Sequence, residues 1–170
     1  MIRIGLMSDT HGVLPDQVFE YFQAVDEIWH AGDIGTTELA DTLEAFKPFR
    51  AVYGNVDDAD LRIRYGLDLK FQLEGLSVWM THIGGYPGRY TPRIASLIRS
   101  QPPGLFITGH SHILKIIPDP SLGLLHINPG ACGNEGWHKV RTLVRFSVRA
   151  GIVVEPEVIE LPRNSPIKPR

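Results

Sequence analysis

The sequence predicts an α/β fold, and three observations carry that prediction. Short apolar runs alternate with segments of helical periodicity between residues 2 and 53. Each run is halted at its carboxyl end by glycine, asparagine or aspartate. From residue 67 onward the pattern becomes one of strand-like runs, several joined by tight turns. Strands separated by helices pair in parallel through crossovers, whereas tight turns join antiparallel neighbours, so a mixed arrangement follows.

Ile2 to Ser8 is apolar at most positions and reads as a buried strand that stops at Asp9-Thr10-His11-Gly12. Pro15 suits a first helical turn, and Val18, Phe19, Phe22 and Val25 recur at helical spacing. Glu27 to Ala31 is a second strand, broken at Gly32-Asp33-Ile34-Gly35. Thr36 or Thr37 caps a helix through Phe46, with Leu39, Leu43 and Phe46 as its apolar face and Pro48 beyond its end. Phe49 to Tyr53 is a third strand, halted at Gly54-Asn55. Leu67 to Leu73 and Leu76 to His82 flank the hairpin turn Glu74-Gly75. Thr91 to Ser100 is a short helix ending before Pro102-Pro103. Leu105 to Thr108, Ile113 to Ile117, Leu124 to Asn128, Val140 to Val148 and Ile152 to Leu161 complete the strands, with Ala150-Gly151 turning between the last two. The chain reads as one domain over residues 1–161 with a flexible C-terminal tail over 162–170.

Composition narrows the function classes. With 17 Lys and Arg against 19 Asp and Glu, the net charge of −2 offers no polybasic footprint for nucleic acid or an anionic membrane. The single cysteine, Cys132, excludes an internal disulfide framework and suits a reducing compartment. The N-terminal apolar run is too short for a secretory leader and ends at Asp9, and no window reaches the roughly 18 apolar residues of a membrane span. A cytoplasmic address is expected, and homo-oligomerisation is compatible with the sequence.

Metal-type ligands fall in clusters after these strands: Asp9-Thr10-His11, Gly32-Asp33, Gly54-Asn55-Val56-Asp57, Thr81-His82 and Gly109-His110-Ser111-His112. Parallel strands would bring them to one rim, where open α/β sheets place their sites. Oxygen and nitrogen donors without sulfur suit two borderline or hard divalent ions, and two adjacent ions are a hydrolytic device. In an extended segment residues i and i+2 point the same way, so Asp9 with His11 and His110 with His112 are each expected to form a two-ligand pincer. Asp33, alone in mid-rim, is the expected bridge, offering one oxygen to each ion. The histidines must bind as neutral rings, so ligation is expected to be lost in acid.

The order of these motifs resembles that of the calcineurin-like metallophosphoesterase superfamily. In particular it is similar to the small single-domain bacterial and archaeal phosphodiesterases, which also resemble the retromer subunit vacuolar sorting protein 29. Asn128-Pro129-Gly130 resembles a further element of that group. The resemblance implies a four-layer α/β/β/α sandwich with two mixed central sheets. It implies Asp9, His11, Asp33 and His112 at one ion, and Asp33, Asn55, His82 and His110 at the other. Asp33, Asn55, Asp57 and His82 are then the residues expected to carry catalysis, in which a metal-bridging hydroxide attacks the phosphorus of a small phosphodiester. Manganese is the commonest expectation, with zinc, nickel, iron, cobalt and magnesium also compatible. The alternatives are a phosphomonoesterase and a non-catalytic scaffold that binds another protein.

Two departures stand out. Many superfamily members place a histidine after the motif asparagine, where this chain has Val56, which cannot transfer a proton. The residue after His82 is Ile83 rather than glycine, opening an irregular loop through Tyr90. There Arg89 could clamp a phosphate and Tyr86 or Tyr90 could stack on a base or sugar, or the loop is plain surface. Asp57 either orients a ligand histidine or shapes and caps its loop. Cys132 reads as buried filler, His30 and His126 as satisfied core or supporting histidines, and His138 as a substrate contact or, the favoured reading, plain surface.

Overall fold

The computed structural model describes residues 1–163; residues 164–170, most of the expected tail, lie outside the described residues. Twelve strands and four short helices appear among them. The first half runs β1 (Ile2–Met7), α1 (Gln17–Tyr21), β2 (Glu27–His30), α2 (Thr37–Phe46), β3 (Phe49–Ala51) and α3 (Ala59–Arg64). The hairpin β4 (Asp68–Leu73) and β5 (Leu76–Thr81) follows, then β6 (Gly85–Tyr86), β7 (Arg89–Tyr90), α4 (Pro92–Ile98) and β8 (Leu105–Ile107). The chain closes with β9 (Lys115–Asp119), β10 (Leu124–Asn128), β11 (Val140–Arg149) and β12 (Ile152–Pro162).

One five-stranded sheet has the order β12-β11-β1-β2-β3 and the other β4-β5-β8-β10-β9. β1, β2 and β3 are parallel, with β11 antiparallel to β1 and β12 to β11. In the second sheet β5, β8 and β10 are parallel, and β4 and β9 are antiparallel edges. The C-terminal hairpin therefore returns to the first sheet, beside the N-terminal strand.

Strand alternation builds the layers. Ile4 and Leu6 of β1, Trp29 of β2, Val78 and Met80 of β5, and Leu105 and Ile107 of β8 share one core between the sheets. Met7 and Ile28 face the other way, into a core with Val18 of α1, Leu39 and Leu43 of α2, and Leu61 of α3. Trp79 and Phe106 face outward on the second sheet, beneath Ile94 and Ile98 of α4. The result is the expected helix–sheet–sheet–helix sandwich. Fully burying such a side chain contributes about 1.5–3 kcal/mol, so three apolar cores hold the fold without help from the polar rim.

Several elements differ from the sequence expectation. Thr36 is the cap of α2, accepting the Leu39 amide at 3.2 Å, but α1 has only five residues. Its helical run gives way to a turn in which the Val25 amide reaches the Phe22 carbonyl at 3.3 Å. α3 is unanticipated; Leu61 is its only buried residue, so it has no apolar stripe to read, although Asp58 caps it through the Leu61 amide. The loop after His82 contains a small hairpin, β6 with β7, where irregular chain was expected. β9 begins two residues later than Ile113, because the preceding chain is spent on the turn that carries His110 and His112. No helix among the described residues is long and apolar enough to cross a membrane.

Candidate metal centre

Backbone bonds lace the loops at the carboxyl ends of the strands into one rim. The Asp9 and His11 amides donate to the Gly32 and Asp33 carbonyls, each at 3.0 Å. The Cys132 and Gly133 amides donate to the Ser8 and Asp9 carbonyls at 2.9 and 3.0 Å, and the Gly109 amide to the His82 carbonyl at 3.0 Å. Asn128 clamps the histidine loop, donating to the Gly109 carbonyl at 2.9 Å and the Ser111 hydroxyl at 3.1 Å.

The rim carries backbone strain. Asp9, His11, Asp33, His110 and His112 all have positive φ, between 49° and 70°. Non-glycine residues enter that region at a cost, and such residues cluster at functional sites. This geometry corrects one expectation. His110 and His112 fall in different groups and are not a pincer, which is the division the family resemblance implied.

Ligand atoms of Asp9, His11 and His112 lie within 4.8 Å of one another, and so do those of Asp33, His82 and His110. The two carboxylates follow one pattern. Asp9 Oδ2 accepts the Ser8 hydroxyl at 2.7 Å and the His110 amide at 3.1 Å. Its Oδ1 faces His112 Nε2 at 3.2 Å and both His11 and His82 Nε2 at 3.8 Å. Asp33 Oδ1 accepts the Val56 amide at 3.0 Å. Its Oδ2 lies 3.1 Å from His82 Nε2 and 3.7 Å from His11 Nε2, so a single oxygen faces both groups. A Cβ at Gly54 would collide with Asp33 Oδ1, and one at Gly32 would stand 2.6 Å from His82 Nδ1, so the loops close this tightly only on glycine.

His82 Nδ1 donates to the Ala31 carbonyl at 2.7 Å, which leaves Nε2 as a lone pair directed at the Asp33 carboxylate. Acceptor then faces acceptor, and only a proton or a cation relieves that contact. Three buried atoms here, Asp9 Oδ1, His11 Nε2 and His82 Nε2, have no hydrogen-bond partner among the described residues. Protein interiors rarely leave such atoms unpaired. Bound cations satisfy all three, so the residues fit divalent metal.

The neighbouring Asp9 carboxylate, with Asp33 beyond it, raises the His11 pKa above its ordinary value although burial opposes it. Burial lowers that of His82, but Asp33 and Asp9 outweigh it and the net shift is upward. Burial raises the Asp9 and Asp33 carboxyls, yet their histidine partners hold both below the usual range. His110 is lowered, chiefly by burial.

Asn55 is exposed beside this centre, its loop pinned on either side by Gly54 N–H to Asp57 Oδ2 at 2.8 Å and Val56 N–H to Asp33 Oδ1 at 3.0 Å. Asp57 is buried and also accepts the Ile34 and Gly35 amides at 3.2 and 2.9 Å. Its hydrogen-bond partners among the described residues are backbone amides of the Asp33 and Asn55 loops, and none is a ligand histidine. His30 is buried, with burial holding it at about 4, and it links the Gly32 amide to the Thr10 hydroxyl. Burial pushes the Cys132 thiol up to about 12, which leaves it inert.

Other readings need correction. His138 is not surface: its ring stands edge-on to His112 at 5.5 Å and its Nε2 is 2.8 Å from the Gly133 carbonyl. Arg163 ties this loop down through the carbonyls of Asn134 and His138. Arg89 and Tyr90 line a depression with Arg99 and Asp119, apart from the cavities that border the ligands. The Tyr90 hydroxyl donates to Asp119 at 2.7 Å, and the Tyr86 ring sits under the Lys115 ammonium at 4.4 Å. Ser8 was not anticipated; it holds Asp9 but carries no sequence pattern of its own.

A two-sheet sandwich with paired oxygen–nitrogen ligand groups on one rim defines a metal-binding protein of the phosphoesterase kind. Residues 2–151 match the calcineurin-like phosphoesterase superfamily domain, and the chain belongs to that family. It is 30% identical over 139 residues to a probable metallophosphoesterase of Methanothermobacter thermautotrophicus, covering 75% of this chain and 76% of that one. A phosphodiesterase of Methanocaldococcus jannaschii is 26% identical over 149 residues, covering 77% and 84%. Among solved structures, an archaeal phosphodiesterase superposes with a TM-score of 0.72 at 23% identity, covering 94% of this chain and 100% of that one. Zinc-bound Vps29 of Entamoeba histolytica superposes equally well, with a TM-score of 0.72 at 16% identity, covering 96% and 100%. These two likenesses show the fold.

Proposed function

We propose that this chain is a divalent-metal-dependent phosphodiesterase acting on a small phosphodiester. The observation that carries the reading is the pair of ligand groups facing Asp33 Oδ2 with three buried donor atoms unsatisfied. Asp9, His11 and His112 would hold one ion, and Asp33, Asn55, His82 and His110 the other, with Asp33 common to both. Ions held there supply Lewis acidity at the phosphoryl oxygens and a water-derived nucleophile at neutral pH. Oxygen and imidazole donors without thiolate suit manganese and its neighbours.

The chain's own residues fix the geometry for that chemistry. Ser8 and the His110 amide set Asp9, the Val56 amide sets Asp33, and the Ala31 carbonyl sets the His82 tautomer. Diester preference is supported by the flanking space. A cavity of about 400 Å³ borders Asn55 and His82, and one of about 690 Å³ borders His110 and His112; they share no lining residue. A phosphodiester has two arms to place, a monoester one.

The test is hydrolysis of bis(4-nitrophenyl) phosphate against 4-nitrophenyl phosphate, after chelation and after adding back each divalent ion. Diester cleavage that disappears on chelation and returns with manganese is expected. Preference for the monoester, or turnover indifferent to chelation, would overturn the reading.

A further inference from the structure

The cavity beside Asn55 and His82 has apolar or aromatic walls at Tyr53, Leu67, Ile83 and Pro92, and two guanidinium groups, Arg62 and Arg93. Their states differ. Arg93 is neutralised by Asp68, with Nη1 at 2.7 Å and Nη2 at 3.2 Å from its oxygens. Arg62 pairs with no carboxylate among the described residues. Its Nε donates to the Asp57 carbonyl at 2.7 Å and its Nη2 to the Asn55 carbonyl at 3.0 Å, while the group lies 5.0 Å from the centre of the Tyr53 ring. These contacts hold the guanidinium in place and leave its charge unspent, with Nη1 making no hydrogen bond among the described residues.

We propose, resting on the phosphodiesterase reading, that Arg62 is a specificity-determining residue. It selects a substrate whose arm on the Asn55 side is a short apolar stem ending in a second anionic group, a carboxylate or a phosphate. The stem lies along Tyr53, Leu67 and Ile83, and the anion meets the one unneutralised cation of the cavity. A guanidinium already held by two carbonyls and a ring loses little freedom on binding, and charge-assisted hydrogen bonds to an anion are the strong ones. The larger cavity has no arginine in its lining; its one lysine, Lys139, shares that lining with the acidic Glu160. The second arm is therefore free of this requirement.

Arg62 also supports the Asn55 loop, so the test must separate recognition from scaffolding. Two phosphinates, ethyl(butyl)phosphinate and ethyl(3-carboxypropyl)phosphinate, lack a hydrolysable ester and differ only in the terminal charge. Titration calorimetry of the manganese-loaded protein should show the carboxylate compound binding about tenfold or more tightly. Arg62→Gln should erase that difference and Arg62→Lys keep part of it, with the butyl phosphinate little changed in either. Equal binding of the two compounds by the native protein, or a preference that survives in R62Q, would overturn the inference. Equal weakening of both compounds in R62Q, with no recovery in R62K, would also overturn it, since that is the behaviour of a scaffold. Release of nitrophenolate from 4-nitrophenyl 3-carboxypropyl phosphate is followed in parallel. Failure there sinks the phosphodiesterase reading, while the calorimetry still decides the role of Arg62.

Discussion

The two ligand groups use the same kinds of donor but differ in what covers them. Around Asp9, His11 and His112 the rim is partly enclosed: Asp9 is fully buried, His11 and His112 are half-buried, and the His138 ring stands against His112, although the larger cavity also borders His112. The loop bearing His138 is fastened to Arg163. Around Asp33, His82 and His110 the rim is open: His82 is buried, but His110 and Asn55 are exposed and both cavities reach this group. No ligand of the first group is exposed, whereas His110 of the second is. Asp33 Oδ2 and Asp9 Oδ1 each face histidines of both groups, and Asp33 makes the closer contact across, 3.7 Å to His11 against 3.8 Å from Asp9 to His82, so the two groups are coupled through these carboxylates.

The largest effect should come from breaking that coupling. Asp33→Asn removes the shared charge, so both ions should weaken and turnover should fall by about 10²–10³-fold or more. Elemental analysis showing two tightly held metals per chain with unchanged turnover would refute the shared role. The fold should persist, because the cores lie apart from the rim.

A second pair of variants separates the groups. His82→Ala should leave one metal per chain in the enclosed group, while His112→Ala should leave one in the open group. Both should be folded and poorly active. If each variant loses both ions or neither, the division is wrong. This division was only half legible in the sequence. Asp9, Asp33 and His82 could be read because each follows a strand whose direction is fixed by its apolar run. The i, i+2 rule of an extended segment fails at His110 and His112, where the chain is left-handed at φ 70° and 60°, and only the family resemblance set them apart. His138 was read as surface because it follows an exposed tryptophan in a loop. Its place beside His112 is set by contacts with Gly133 and Arg163, one of them 25 residues away. The three cores, by contrast, were written in strand alternation and helix periodicity.

A smaller effect is expected at Asp57, whose carboxylate ties the Asp33 loop to the Asn55 loop through three backbone amides. Asp57→Asn replaces one accepting oxygen by a donor, so the open group should lose about 10–100-fold in metal affinity. The enclosed group should be little affected. Competition with a metallochromic chelator measures the two sites separately, and equal losses at both would contradict the comparison.

The smallest effect concerns pH. In metal-free protein His11 and His82 are raised above their unfolded value of 6.5. Their stabilising contribution is therefore full below about pH 6.5 and is lost as pH climbs through the raised values. His110 is shifted the other way and offsets part of this. Asp9 and Asp33 are lowered, so their contribution is present above about pH 3.9 and is lost as pH falls through the lowered values. The Tm of the metal-free protein should decline from about pH 6 to 8.5, while saturating manganese should reverse that trend as the ion displaces protons. A flat profile in both conditions would show that the rim is not coupled to folding.

The central claim is that these groups form one dinuclear centre joined at Asp33. Anomalous diffraction from crystals grown with manganese, recorded on both sides of its absorption edge, tests it directly. The account predicts two peaks, one contacted by Asp9, His11 and His112 and the other by His82, His110 and Asn55, with the Asp33 carboxylate touching both. A single peak, or two peaks with Asp33 bound to only one, would contradict it.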